Sequence, residues 1–124
     1  MANLFDQQLQ DDAWLGDAIL ALFVRQLMIT NSISSSALRG ELYAWFTSNQ
    51  FLSGFGRPTE VEAKIGIVYR EQGLESAFGY IKTALLPMMQ KQLPKRIKPG
   101  LSLNFEKAPD PFLVFFDQGQ SRLA

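Results

Sequence analysis

Histidine and cysteine are both absent from this chain of 124 residues, and each absence removes a class of chemistry. Without cysteine there is no disulfide framework, thiol nucleophile, iron–sulfur cluster or cysteine-based zinc site. Without histidine there is no Ser-His-Asp triad, no His-Glu zinc protease and no imidazole acid/base pair. Hydrolytic chemistry would have to run on carboxylates, lysine or tyrosine, with a hard metal ion bound through oxygen as the natural partner. Net charge is missing too: 12 basic side chains balance 12 acidic ones, which argues against coating nucleic acid by bulk electrostatics and leaves room for local patches. Long apolar runs are also lacking. The most apolar one, Ala18 to Val24 between Asp17 and Arg25, is too short to span a bilayer. The start, Met1-Ala2-Asn3-Leu4-Phe5-Asp6, has no basic segment of the kind that opens a secretory signal. The expectation is a cytoplasmic protein with no membrane partner.

What is present is an apolar fraction of 47%, enough for one ordinary core without a covalent staple. The chain reads as one domain, 1–124, with a core of about 10–91 and a tail, 92–124, packed on it. Charge is unevenly placed: Asp6, Asp11, Asp12 and Asp17 open the chain without a base, while Lys82, Lys91, Lys95, Arg96 and Lys98 share a stretch without an acid. From Gln10 to Ile29, Trp14, Leu15, Ala18, Ile19, Leu22 and Phe23 recur with helical spacing, and Leu20, Val24 and Leu27 widen the stripe, so this helix is expected to be buried on most of its circumference. Serines 34–36 offer N-caps for a second helix to about Asn49, and 53–58 reads as a loop. A third helix is expected to open on Thr59-Glu60-Val61-Glu62 and close at Gly73. A fourth runs from Leu74 to about Lys91, kinked or shortened by Pro87. Beyond Gln92, Leu93-Pro94, Lys98-Pro99-Gly100 and Pro109-Asp110-Pro111 are expected to break the chain. Leu101, Leu103, Phe105 and the run Phe112 to Phe116 suggest a hairpin or two extended segments. That apolar run would be an aggregation hazard if free, so burial is expected.

Two carboxylates stand in costly places. Asp17 lies within the first helix, on a face shared with Gln10, Ala13, Leu20, Ala21 and Val24, directly after Gly16. Glu62 lies in the first turn of the third helix beside Ile65 and Tyr69, with Gly66 one turn on. A mid-helix glycine is unfavourable unless another backbone must come close. If the two helices cross at Gly16 and Gly66, Asp17 and Glu62 converge, and two converging carboxylates need a proton or a cation. The simpler alternatives are a capping box between Glu62 and Thr59 and a salt bridge from Asp17 to Arg25, Arg39 or Lys64.

These residues resemble a known family. Gln10-Asp11-Asp12-Ala13-Trp14-Leu15-Gly16-Asp17 is similar to the signature helix of ribonuclease III endonuclease domains, Glu-Arg-Leu-Glu-Phe-Leu-Gly-Asp. Thr59-Glu60-Val61-Glu62-Ala63-Lys64-Ile65-Gly66-Ile67-Val68-Tyr69, followed by Gly73-Leu74-Glu75-Ser76-Ala77, is similar to its second motif, Asp-x-x-Glu-Ala-Leu-Ile-Gly-Ala-x-Tyr with Gly-Leu-Glu-x-Ala after it. Ser48-Asn49-Gln50-Phe51-Leu52 resembles the Ser-Asn-x-x-Leu segment between them. The match covers roughly 10–90 in the family's order. Gln10, Ala13 and Thr59 depart from the usual carboxylates, a thinner set that resembles the Mini-ribonuclease III branch, with Ala-Tyr-Ile-Gly-Asp and Thr-x-x-Glu-Ala. The stretch from Asp17 to Glu62 is shorter than in either branch, and the tail is too short for a double-stranded-RNA-binding domain.

The resemblance implies an all-α, ribonuclease III-like helical bundle, here with a short extended or β-hairpin tail. It implies a homodimeric hydrolase of RNA processing that cuts double-stranded RNA with Mg2+ or Mn2+ held by Asp17 and Glu62. Gln10 and Thr59 would support the metal's waters. Trp14 would pack at the dimer interface, or else serve as an ordinary core aromatic. Arg39, Arg57, Lys64, Lys91, Lys95 and Arg96 would contact phosphates, or else form solvated basic surface. Two alternatives remain: an inactive ribonuclease III-fold module for RNA binding or dimerisation, and a helical domain without an RNA role.

Overall fold

The computed structural model describes residues 4–96, with side chains described as far as Gln92. Its elements are α1 (Leu4–Thr30), α2 (Ser36–Phe46), α3 (Asn49–Leu52), α4 (Pro58–Gln72), α5 (Leu74–Ala84) and α6 (Leu86–Arg96). No strand occurs among the described residues, and the architecture is all-α. The hairpin or extended segments expected beyond Pro99 lie outside the described residues.

At 27 residues, α1 is about 40 Å long at 1.5 Å per residue and forms the axis of the fold. It buries one face, including Ile19, Leu20, Phe23, Val24, Leu27 and Met28, rather than most of its circumference. Trp14, Leu15, Leu22 and Ile29 point outward, and Trp14 is 79% exposed. This rules out the reading of Trp14 as a core aromatic: α4 and α5 cover only the side of α1 that carries the glycine and the fully buried residues. By length and composition alone α1 is long and apolar enough to cross a membrane. The seven-residue run considered in the sequence understates this, because apolar residues on both sides of it join the same helix. A core helix of a soluble protein passes the same test.

Ser35 caps α2, its hydroxyl accepting from the Leu38 N–H at 3.3 Å. This helix stops at Phe46 instead of near Asn49 because the next two hydroxyls turn back on it. Thr47 donates to the Tyr43 carbonyl at 2.6 Å and Ser48 to the Trp45 carbonyl at 2.7 Å. The Ser48 oxygen also accepts from the Phe51 N–H at 3.0 Å and so starts the extra turn α3.

Pro58 opens α4 as its first residue, where the missing N–H is no loss and the fixed φ suits a helix. The cap is therefore Arg57, which makes no side-chain capping bond. The expected Thr59–Glu62 capping box does not form: the proline moves the start upstream and puts Thr59 inside the first turn. Gly73, at φ 95°, ends α4 and begins α5 in a conformation that a side chain would strain. Its N–H donates to the Tyr69 carbonyl at 2.8 Å, and its carbonyl accepts from Ala77 at 3.1 Å.

The fourth expected helix divides at Leu85 into α5 and α6, with Pro87 in the first turn of α6, where it forfeits no helical bond. Pro94 does not break the chain as expected, since α6 continues to Arg96. Its missing donor affects only the carbonyl of the exposed Gln90, which water can satisfy. Phe23, Phe46, Phe51 and Phe78 are almost fully buried at the centre of the core. Phe23 and Phe78 meet edge to face at 5.2 Å, and Phe51 meets Phe46 at 5.5 Å. Each such side chain contributes about 1.5–3 kcal/mol by burial. The Trp45 indole donates to Gln92 at 2.8 Å and ties α2 to α6.

Candidate functional site

Among the described residues the most extensive helix contact is between α1 and α4, and at the crossing it is made through backbone. A Cβ on Gly16 would land on the Glu62 carbonyl, and one on Gly66 would land on the Asp12 carbonyl. The two pairings run in opposite senses along the helices, so α1 and α4 lie antiparallel with no side chain between them at the crossing. The close approach that two mid-helix glycines suggest is present, and both glycines are buried.

Beside the crossing opens a cleft of about 420 Å³ lined by Gln10, Asp11, Ala13, Trp14, Asp17, Thr59 and Glu62. Asp17, Glu62, Gln10, Thr59 and Trp14, singled out in the sequence, thus share one concavity. Asp17 is exposed and Glu62 is half-buried, so Asp17 costs less to keep charged than its place among apolar neighbours suggests. The structure shows no ion pair from Asp17 to Arg25, Arg39 or Lys64 among the described residues. Asp17 faces Glu62 instead. Burial pushes the Glu62 carboxyl up to about 7, helped by hydrogen bonding with Asp17 and by the charge of that neighbour. A hydrogen bond between two carboxyls needs a proton on one of them, so below about pH 7 the pair holds a proton in place of a counter-ion.

One turn away lies a charge pair that the sequence reading missed. Asp12 is buried, and the Arg70 guanidinium donates to both of its oxygens, at 3.0 and 3.3 Å. Gln8 donates to the same carboxylate at 3.2 Å. Arg70 holds the Asp12 carboxyl below its ordinary value against the opposing effect of burial. The signal was available: once Gly16 and Gly66 are taken as a crossing, one turn back from Gly16 is Asp12 and one turn on from Gly66 is Arg70. Asp11 was also missed as a cleft residue. It accepts from Gln7 at 2.9 Å.

The basic residues proposed for phosphate contact are dispersed. None of them lines the carboxylate cleft. Arg57 and Lys64 line a cavity of about 190 Å³ with Glu60 and Tyr80. Arg39 lines another between α1 and α2. Lys91 is exposed on α6, and Lys95 and Arg96 follow it on the same helix.

No protein-family model, curated protein or solved structure matches the chain. The chemistry of the cleft is therefore read from its own donors. Two carboxylates that must otherwise share a proton, with a hydroxyl and an amide on the same walls, suit a hard divalent cation that keeps several waters. No three acidic, histidine or cysteine side chains among the described residues are arranged to hold one metal ion, so the protein would supply only part of such an ion's shell.

Proposed function

We propose that this chain is a ribonuclease III-like protein, similar to the Mini-ribonuclease III branch, and that it is a homodimeric endoribonuclease of double-stranded RNA using Mg2+ or Mn2+ at Asp17 and Glu62. The observation that carries the proposal is the convergence of these two carboxylates at the Gly16–Gly66 crossing. When bound, the cation supplies an activated water and neutralises charge on the leaving 3′ oxygen. Asp17 and Glu62 hold it, and Glu62 must release its proton to do so, so metal affinity rises as pH passes through about 7. Gln10 and Thr59, on the same cleft walls, would offer an amide and a hydroxyl to the waters of a bound ion. Trp14, with Leu15 beside it on the outward face of α1, is the surface a second copy covers. Lys64, on the helix that carries Glu62, and Arg57, which precedes its first residue, grip phosphates of the duplex.

The test is cleavage of a duplex RNA in Mg2+ by the wild type, Asp17→Asn and Glu62→Gln. Cleavage by the wild type that both substitutions abolish supports the proposal. Duplex binding without cleavage favours an inactive ribonuclease III-like binding module, a reading supported by the small number of ligands at the cleft. Neither binding nor cleavage overturns both.

A further inference from the structure

Between the C-terminal third of α1 and α2 lies a cavity of about 320 Å³ lined by Arg25, Met28, Ile29, Arg39, Gly40 and Tyr43. Its two guanidinium groups are held by different means. Arg25 lies over the Tyr43 ring, its Cζ 4.9 Å from the centroid. The Nε of Arg39 donates to the Ile33 carbonyl at 2.7 Å, which fixes the plane of the group while spending one of its five donors. Among the described residues no carboxylate lies within ion-pairing distance of either arginine, and no acidic side chain lines the cavity. A Cβ on Gly40 would meet nothing within 4 Å, so that wall is open. The rest is apolar: Met28 is buried at its base, Tyr43 is half-buried and Ile29 stands exposed at the rim.

We propose that this cavity is a binding site for a phosphate monoester carried on an apolar or aromatic body the size of a single nucleotide. Two oriented guanidiniums without a counter-charge match the charge of about −1.5 to −2 on a phosphate monoester at pH 7 better than the single charge of a carboxylate. The planar forks of arginine suit bidentate contact with phosphate oxygens. Met28, Ile29 and Tyr43 offer the apolar contact that inorganic phosphate cannot use, and the volume is at the small end of ligand cavities, room for one nucleotide and not for a strand. Arg25 follows Asp17 by eight residues on α1, about 12 Å along the helix. The site is therefore separate from the carboxylate cleft, and its existence does not depend on the nuclease reading.

Calorimetric titration of the full chain with AMP, adenosine and inorganic phosphate tests the site. AMP is expected to bind in the submillimolar range, with adenosine and phosphate each at least tenfold weaker. Arg25→Gln, which removes a stacked side chain that makes no backbone bond, is expected to weaken AMP at least tenfold while leaving the melting temperature unchanged. Arg39→Lys keeps the charge and loses the fork, and is expected to weaken AMP less than Arg25→Gln does. A 5′-phosphorylated RNA hexamer and its 5′-hydroxyl counterpart then identify the source. Displacement of AMP by the phosphorylated form alone assigns the site to RNA ends, and displacement by neither assigns it to free nucleotides. Equal displacement by both hexamers overturns recognition of a phosphate monoester. AMP binding no tighter than phosphate, or unchanged by Arg25→Gln, overturns the proposal.

Discussion

From Asp12 to Asp17, α1 meets α4 through backbone, with Gly16 against the Glu62 carbonyl and Gly66 against the Asp12 carbonyl. From Ile19 to Met28 the same helix is buried through side chains, with Phe23 edge-on to Phe78 and Leu20, Val24 and Leu27 filling the space around them. The first contact has no room to adjust and brings together Asp12, Arg70, Asp17 and Glu62. The second is apolar and can repack. Placed side by side, they show one helix dividing its labour: flexible side chains supply the cohesion, and rigid backbone contact sets the positions of the charged groups.

The largest effect should separate the two halves directly. Gly16→Ala adds one carbon where the opposing atoms are backbone, and should cost about 3 kcal/mol or more. Leu20→Met, one turn away among side chains, should cost about 1 kcal/mol. Urea denaturation of both variants measures the difference, and equal midpoints would erase the distinction between the halves.

A second effect belongs to the buried charge at the crossing. Arg70→Met leaves Asp12 buried and without its partner, so it should lower the melting temperature at pH 7. Folding lowers the pKa of Asp12, so the stability it contributes is present above its ordinary value of 3.8 and is lost as pH falls through the lower folded value. The gap between wild type and Arg70→Met should therefore narrow in acid, and a gap independent of pH would contradict the assigned role.

Glu62 has the opposite sign and a smaller magnitude. Its pKa rises on folding from 4.5 to about 7, so the folded chain keeps a proton that the unfolded chain releases. Its contribution is full below about 4.5 and is lost as pH rises through about 7. At pH 8, Glu62→Gln should be more stable than wild type by about 1 kcal/mol after screening on its open side. The two should converge near pH 4. Mg2+ should raise the melting temperature of the wild type at pH 8 and leave Glu62→Gln unmoved, as thermal melts with and without the ion would show.

The smallest effect on folding is expected at the outward face of α1. If the proposed dimer forms through this face, Trp14→Gln should shift sedimentation toward the monomer while leaving monomer stability within about 0.5 kcal/mol. A dimer that survives the change would place the interface elsewhere.

The crossing was legible in the sequence because Gly16 and Gly66 each stand near a carboxylate in an apolar setting; Gly40 and Gly79, equally deep in α2 and α5, meet no neighbour. Gly16 and Gly66 gave away the crossing, and the crossing brought Asp17 to Glu62. Helix ends were less legible where two local signals competed: Pro58 displaced the Thr59 cap, and the hydroxyls of Thr47 and Ser48 ended α2 early and began α3. Neither member of the Asp12–Arg70 pair looks unusual locally and they are 58 residues apart, so the pair becomes visible only by stepping one turn along each helix from the Gly16–Gly66 crossing. Trp14 shows another limit, since periodicity finds the apolar positions of a helix but does not say which of them a neighbouring helix will cover.

The two glycines at the crossing, Gly16 and Gly66, also bear on how the molecule holds together over time. Each makes its own helix weaker by about 1 kcal/mol relative to alanine, so α1 and α4 are poorest as independent helices just where they touch. Neither segment gains by ordering alone, and each is firm only while the other is in place. The joint therefore opens as a unit or stays closed, and the paired carboxylates are assembled and lost with it in a single cooperative event.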